Sequence, residues 1–328
     1  MKILFVTSTR IGDVVLSSGL LQWLCSTYPH ARLTVACGPL VTSLFEAHPQ
    51  VDRVIAVSKR RFAGHWYKLW SDVVGRRWDK VVDLRRSLLP WMVRANARHS
   101  IPHPRPGQHR VRLIAATLGL DPPPSPCIWI SADDQARAAE ILAGGDGPML
   151  AVAPTANWAG KIWPAERFAE LVRRLTGPNG RLAGARIFVT AGPTEEAMAR
   201  PFLDGVPADR LIARIGLELP AVAAVFQRCR LFVGNDSGLM HLAAAAGTPT
   251  VGLFGPTRDE LYAPWGPHCR VVRTPESVEA LTRHPGYHHR TTGSLMGSLT
   301  VDAVVRTADD LLDATTTALP PDKPALLA

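Results

Sequence analysis

The chain has 328 residues, 46% of them hydrophobic, and a formal net charge of +9 at pH 7. No apolar run approaches the roughly 20 residues that cross a bilayer, and the five scattered cysteines show no zinc or redox spacing. These features exclude a membrane-spanning protein and a disulfide scaffold. They predict a two-domain globular protein with buried, reduced thiols.

The positive charge is concentrated in residues 59–112, where fourteen Lys or Arg stand against three acids. Such a block favours an anionic partner: nucleic acid, an acidic membrane surface or a phosphorylated substrate. The alternative interpretation is a solvated surface that is simply rich in arginine.

Apolar runs alternate with amphipathic stretches along the chain. The predicted strands cover residues 3–7, 32–37, 54–57, 81–84, 149–153, 186–190, 231–234, 250–254 and 269–272. The predicted helices include residues 14–24, 165–175, 219–228 and 301–315, and an Ala-rich helix that starts at about Gly238. This alternation predicts an α/β class with parallel sheets. Arg10 and Asp13 interrupt the first apolar run and no cleavage site follows, so we interpret it as the first strand of a cytoplasmic protein.

A proline-rich stretch at 119–126 and a glycine-rich one at 144–148 mark a break. We therefore predict an N-terminal domain over 1–143, a second domain over 144–310, and a helix end and tail over 311–328. Two doubly wound, Rossmann-like halves would face each other across a cleft. In such sheets, ligands bind beyond the carboxyl ends of the strands.

The first polar loop, residues 9–13, follows the first predicted strand and contains Gly12 and Asp13. Gly12 permits a tight turn. Asp13 is interpreted either as the N-cap of the next helix or as a carboxylate that accepts a proton from an attacking hydroxyl. Spacing alone does not separate the two.

The second loop, residues 153–164, has the sequence APTANWAGKIWP. Thr155, Asn157 and Lys161 could together hold an anionic leaving group, because an ammonium offsets the charge that develops as the bond breaks. Lys161 could equally be an ordinary surface lysine. Trp163 and Pro164 have the simpler role of packing and of starting a helix.

Two further loops carry acids at strand ends. Glu195 follows the strand at 186–190, where it could accept hydrogen bonds from a ribose or merely favour the next helix. Residues 234–241, GNDSGLMH, form a strand–turn–helix junction that can cradle a phosphate. Here Asp236 could be only an N-cap and His241 only a buried core histidine. No aspartates stand one residue apart, so we predict no divalent metal.

In combination, the Gly12-Asp13 loop and residues 157–164, 236–241 and 252–257 resemble the family-nine glycosyltransferases, the lipopolysaccharide heptosyltransferase family. The resemblance implies a glycosyltransferase-B fold with acceptor bound by the first half and nucleotide sugar by the second. It also implies inverting transfer with neither metal nor cofactor. Asp13 would be the general base, and Lys161 would bind the donor diphosphate. The implied donor-binding residues are Thr155, Ala156, Asn157, Glu195, Asp236, Ser237, Gly238 and His241.

The basic block would then serve the acceptor. The expected acceptor-binding residues are Gly12, Arg60, Arg85 and Arg86. Residues 59–61, with the aromatic residues Phe62, Trp66, Tyr67 and Trp70 behind them, could lie on an anionic membrane, although the aromatic spacing also fits a helix core. Residues 273–298 match nothing in the family pattern and are interpreted as a mobile loop.

The predicted function is therefore transfer of a sugar, heptose from ADP-heptose, onto a phosphorylated lipopolysaccharide core or lipid A acceptor. The enzyme would be cytoplasmic and peripheral to the inner face of the inner membrane. Two alternatives stay open: a nucleotide-sugar epimerase or hydrolase on the same scaffold, and a basic nucleic-acid-binding protein.

Overall fold

A computed structural model describes residues 1–59, 61–145, 147–283, 285–288 and 291–317. The chain divides into two compact units, the first covering Met1–Ser131 and the second beginning at Ala132. In the described ranges no helix is both long enough and apolar enough to span a bilayer.

The first unit is a five-stranded parallel sheet with flanking helices. Its strands are β1 (Lys2–Val6), β2 (Arg32–Cys37), β3 (Val51–Ala56), β4 (Arg77–Asp83) and β5 (Arg94–Ser100). Its helices are α1 (Ile11–Thr27), α2 (Ser43–Glu46), α3 (Gly64–Val73), α4 (Leu89–Met92) and α5 (Arg110–Ala115). The strand order is β3-β2-β1-β4-β5. Strands β2 and β3 are added on one side of β1, and β4 and β5 lie on its other side. The junction between β1 and β4 is therefore a topological switch point.

The second unit is a six-stranded parallel sheet. Its strands are β6 (Met149–Ala153), β7 (Arg186–Ala191), β8 (Leu211–Ile215), β9 (Leu231–Asn235), β10 (Thr250–Phe254) and β11 (Cys269–Arg273). Its helices are α6 (Ala132–Leu142), α7 (Ala165–Thr176), α8 (Glu196–Leu203), α9 (Leu219–Phe226), α10 (Gly238–Ala245), α11 (Asp259–Tyr262), α12 (Val278–Thr282) and α13 (Val301–Thr317). The order is β11-β10-β9-β6-β7-β8, so the switch point lies between β6 and β9.

Burial explains why the apolar runs become strands. Every residue of β6, β9 and β10 is buried, as expected for parallel strands covered by helices on both faces. Phe168, Phe202 and Trp163 fill the space between this sheet and its helices, and each is fully buried. All five cysteines are free thiols, and burial raises their pKa values to about 12. Cys127 alone is half-buried, and the prediction of buried, reduced thiols is otherwise confirmed.

The α/β class and the two doubly wound sheets are confirmed. The predicted boundary after residue 143 is wrong, because α6 belongs to the second unit. The Gln135 amide Nε2 donates to Gln227 Oε1 just beyond α9 (2.9 Å), and Ala138 is fully buried. The proline-rich stretch instead packs on α1, where the Ser18 hydroxyl accepts from the Cys127 amide (2.9 Å). The proposed division at 310/311 falls inside α13, and residues 318–328 of the predicted tail lie outside the described residues.

Candidate functional site

The second unit brings Lys161 and Asp236 together at its switch point. Lys161 lies in the loop after β6 and Asp236 directly after β9, the strand that pairs with β6. Lys161 Nζ donates to Asp236 Oδ2 (2.8 Å) and to the Asp236 carbonyl oxygen (3.3 Å), and the two side chains are only 18% and 9% exposed. The alternative of an ordinary surface lysine is therefore wrong. The N-cap interpretation of Asp236 is wrong as well, because Ser237 is the N-cap of α10.

A buried amide holds the Lys161 loop in place. Asn235 is fully buried at the end of β9; its Nδ2 donates to the Pro154 carbonyl (2.9 Å), and its Oδ1 accepts from the Trp163 amide (3.0 Å). These two bonds clamp both ends of the loop to the neighbouring strand. Trp163 packs in the core and Pro164 precedes the first residue of α7, as predicted.

Tyr287 and Leu295 contact the same loop. The Leu295 amide donates to the Gly160 carbonyl (3.0 Å), the rings of Tyr287 and Trp158 meet edge to face (6.5 Å between centroids), and Met296 is fully buried. The interpretation of residues 273–298 as a loop is therefore wrong for Arg273, which ends β11, for α12, and for the segment that contains Leu295 and Met296. Residues 284, 289 and 290 lie outside the described residues.

The end of β7 adds Glu195 to this edge. Glu195 Oε2 accepts from the buried Thr155 hydroxyl (2.7 Å) and from the Gly192 amide (2.9 Å). The carboxylate therefore turns back toward the sheet edge and not along α8, whose first residue is Glu196. Of the other predicted donor residues in this loop, Ala156 is buried and Asn157 is exposed.

The start of α10 presents groups that lack partners within the protein. Ser237 adopts an extended conformation as the N-cap and makes no side-chain capping bond, and Gly238 is the first helical residue. The hydroxyl oxygens of Ser237 and of Thr257, which follows β10, are buried and have no hydrogen-bond partner in the described chain. His241 is buried one turn further on. Orphaned hydroxyls beside a helix N-terminus form a site that an anionic ligand can satisfy.

The first unit places Asp13 at its own switch point. Asp13 lies in the first turn of α1, which begins at Ile11 after Arg10, so the N-cap interpretation is wrong. Its Oδ2 accepts from the Ser8 hydroxyl (3.2 Å), and its Oδ1 lies 3.4 Å from Arg110 Nε. Gly12 is the second residue of α1 and is not part of the turn that was predicted for it.

A second loop shares that edge. Asp83, fully buried at the end of β4, accepts from the amides of Arg85 (2.8 Å) and Ser87 (2.6 Å) and from the Ser87 hydroxyl (2.8 Å). Burial raises the pKa of Asp83, and these hydrogen bonds oppose the rise. The bonds shape a turn in which Arg86 takes a left-handed conformation (φ 54°) and its Nη2 reaches His103 Nε2 (2.7 Å). Arg60, the remaining predicted acceptor residue, lies outside the described residues.

Several residues that build these two edges were not predicted: Asn235, Thr257, Asp83 and Arg110. Asn235 and Arg110 contact loops that are distant in sequence. Asp83 ends β4, and Thr257 follows β10. A polar residue directly at the end of an apolar run was the available signal for Asn235 and Asp83. Arg110 gave no signal beyond its membership of the basic block.

Among the described residues, no group of three or more His, Cys, Asp or Glu could hold a metal ion. In the second unit, the carboxyl edge of the sheet offers an anion the Lys161 ammonium, the Ser237 and Thr257 hydroxyls, and the N-terminus of α10. In the first unit, the corresponding edge offers the Asp13 carboxylate, Arg110 at the start of α5 and the loop that carries Arg85 and Arg86.

Comparison with known proteins identifies the family. Glycosyltransferase family 9 (heptosyltransferase) matches residues 83–286. Lipopolysaccharide heptosyltransferase 2 of Salmonella typhimurium is 23% identical, with 83% of this chain and 88% of the relative covered. A family 9 glycosyl transferase from Veillonella parvula superposes with a TM-score of 0.77 at 23% identity, covering 95% and 97% of the two chains. The E. coli ADP-heptose lipopolysaccharide heptosyltransferase II gives 0.76 at 22% identity, covering 96% and 100%.

Proposed function

The chain belongs to glycosyltransferase family 9, and from this premise we propose that it transfers heptose from ADP-heptose to a phosphorylated lipopolysaccharide core acceptor. The observation that carries the proposal is the Lys161–Asp236 ion pair at the switch point of the second unit. In a doubly wound sheet this is where a nucleotide ligand binds. The heptosyltransferase names of the relatives point to the same donor and acceptor.

In the proposed donor site, the ADP-heptose diphosphate lies against the start of α10. The backbone amides at Ser237 and Gly238 and the Ser237 hydroxyl donate to phosphate oxygens. The Lys161 ammonium, released in part from Asp236, neutralises the charge that grows on the leaving diphosphate. Asp236 contacts the sugar. Glu195 accepts from the ribose, and Thr155, Ala156, Asn157 and His241 line the remainder of the donor site.

In the proposed chemical step, the Asp13 carboxylate takes the proton from an acceptor hydroxyl. That oxygen attacks the anomeric carbon of heptose as the bond to the diphosphate breaks, so the configuration at this carbon inverts. Arg110 and Ser8 hold the carboxylate in position. The step as written uses no metal and no cofactor besides the nucleotide sugar.

The arginines of the first unit bind the acceptor in this proposal. Arg85 and Arg86 lie after β4 at the same edge as Asp13, where guanidinium groups can pair with acceptor phosphates. The acceptor is lipid-linked, so we place the enzyme on the cytoplasmic face of the inner membrane as a peripheral protein.

The test is an incubation with ADP-heptose and a heptose-deficient lipopolysaccharide, followed by mass analysis of the lipid product. We expect an acceptor that is heavier by one heptose, together with release of ADP. ADP release at the same rate without acceptor would instead identify a hydrolase. No reaction with ADP-heptose under either condition would contradict the proposal.

A further inference from the structure

The first unit exposes a cluster of large apolar side chains. The most exposed members are Phe62 (99%), Leu88 (75%), Trp91 (73%), Tyr67 (70%) and Met92 (54%). We call these five residues the aromatic surface. Large apolar side chains that are exposed together mark an interaction site, whereas single ones need no explanation.

Trp70 links Tyr67 on α3 to Met92 on α4. The indole Nε1 of Trp70 on α3 donates to the Met92 carbonyl at the end of α4 (3.1 Å). The Tyr67 and Trp70 rings lie 5.7 Å apart between centroids. Trp66 and Trp70 are half-buried against the core, so the helix-core interpretation holds for these two residues but fails for Phe62 and Tyr67.

Phe62 is held outwards by its backbone. Phe62 and Ala63 both adopt left-handed conformations, with φ of 52° and 57°. Residues other than glycine rarely occupy this region, because it costs conformational free energy that the surrounding structure must offset. The result is a turn that presents a phenyl ring fully to solvent.

Basic residues accompany the aromatic surface along the chain. The exposed ones among the described residues of 59–98 are Lys59, Arg61, Lys68, Arg76, Arg77, Arg86, Arg94 and Arg98. The Arg98 guanidinium lies over the Trp91 ring (5.7 Å), and that of Arg85 lies over Trp66 (5.4 Å). The segment has three acids. Asp83 is fully buried, and Asp72 is paired with Lys68 and Arg53. Asp79 accepts from the Lys2 backbone amide (2.7 Å) and from Asn96 Nδ2 (3.2 Å). The surface therefore combines apolar side chains with a net positive rim.

Chain topology places the start of this surface near the proposed acceptor residues. Phe62 follows β3 and Leu88 follows β4, so both residues leave the carboxyl edge of the sheet, as Arg85 does. The second segment then crosses to the amino edge, because Met92 lies two residues before the first residue of β5. The aromatic surface therefore begins at the edge that carries the proposed acceptor residues.

We propose that the aromatic surface inserts into the headgroup region of a bilayer containing anionic phospholipid. Aromatic and aliphatic side chains with Lys and Arg at their margin are the composition of interfacial membrane anchors, and the positive rim complements an anionic leaflet. That the bilayer also carries the acceptor rests on the proposed function, whereas binding of the lipid surface does not.

The experiment is flotation of the full-length protein with phosphatidylcholine vesicles, with and without phosphatidylglycerol. We expect binding only where phosphatidylglycerol is present, and weaker binding as salt rises. The double substitution Phe62→Ser/Trp91→Ser should lower the partition coefficient about tenfold or more, since it removes two inserted rings. Arg61→Gln/Arg94→Gln should lower it too and should flatten the salt dependence.

Two controls match these variants. Met198→Ser removes an exposed apolar side chain from the second unit, and Arg137→Gln removes an exposed cation from α6 of that unit. Neither should change flotation. Loss of vesicle binding in these controls, or equal binding of wild type and Phe62→Ser/Trp91→Ser, would overturn the proposal. So would a wild-type dimer that ignores vesicles and that this double substitution converts to monomer.

Transfer assays separate this proposal from the proposed function. Phe62→Ser/Trp91→Ser should transfer heptose normally to a deacylated, soluble acceptor and poorly to the same acceptor embedded in vesicles. Normal transfer by wild type without vesicle binding would refute only the membrane surface. Vesicle binding without any transfer would refute only the transferase function.

Discussion

At the scale of single residues, the Lys161–Asp236 pair is the feature on which the donor site depends. Two opposite charges meet at 2.8 Å with little exposure. They lie beside a helix start whose Ser237 hydroxyl has no hydrogen-bond partner among the described residues. An ammonium held this way is oriented before any ligand arrives. Motif spacing predicted these three residues because each follows a strand. Asn235 and Arg110 were missed because they contact loops that are distant in sequence. Asp83 was missed although its bonds are to its own loop.

Lys161→Met should weaken ADP binding at least about tenfold, since a charge-assisted contact to phosphate is lost and about 1.4 kcal/mol corresponds to tenfold in affinity. Isothermal titration of ADP measures this. Lys68→Met, which removes an exposed lysine paired with Asp72 in the first unit, is the control and should bind ADP as wild type does. Equal affinities for all three proteins would place the diphosphate elsewhere.

His48 makes the stability of the first unit depend on pH. Burial lowers the pKa of His48 below its usual 6.5, while its Nδ1 accepts from the Gln50 amide (3.1 Å). The neutral form is therefore favoured in the folded state. The unfolded chain takes up this proton first as pH falls, so the contribution of His48 is complete above about pH 6.5 and is lost below it, by at most about 1.4 kcal/mol per pH unit.

Urea unfolding at about pH 8 and about pH 5.5 measures this loss. Wild type should lose more stability over this interval than His48→Gln does, whereas the exposed His30→Gln variant should follow wild type. An identical pH dependence of wild type and His48→Gln would show that His48 does not contribute.

At the scale of elements, the interior strands were predictable and two of the four edge strands were not. The strands β2, β6 and β10 begin and end at their predicted residues, because a strand covered on both faces must be apolar throughout. The two missed strands, β5 and β8, are both sheet edges. β5 has the sequence RANARHS and alternates exposed and half-buried residues, so it contains no apolar run to detect.

Asn235 links two of these elements, and its loss should loosen the loop that carries Lys161. Asn235→Ala leaves the Pro154 carbonyl and the Trp163 amide without their partner, at a cost of about 1–3 kcal/mol for each buried group. Urea unfolding gives the stability change, and ADP titration should show weaker binding. Asn96→Ala, at an exposed position of β5, should change neither measurement. An Asn235→Ala protein as stable as wild type would contradict the role of this clamp.

At the scale of the whole molecule, the two units have the same kind of architecture. Each unit is a doubly wound parallel sheet, and the proposed site residues leave the two strands at its switch point: Asp13 and Arg85 in the first unit, Lys161 and Asp236 in the second. The repeat of strand patterns made the two-unit architecture predictable. The boundary between the units was not predictable. Glycine and proline content indicates where the chain is flexible, but α6 belongs to the second unit because it packs against α9.

The central claim is that Asp13 acts on the acceptor while the second unit holds the donor. The most direct test measures heptose transfer and ADP affinity together for Asp13→Asn, which keeps the shape of the side chain and removes its basicity. We predict a loss of turnover of about 10²–10⁴-fold, the usual contribution of a general base, with ADP affinity unchanged. Turnover within a few-fold of wild type would contradict the claim.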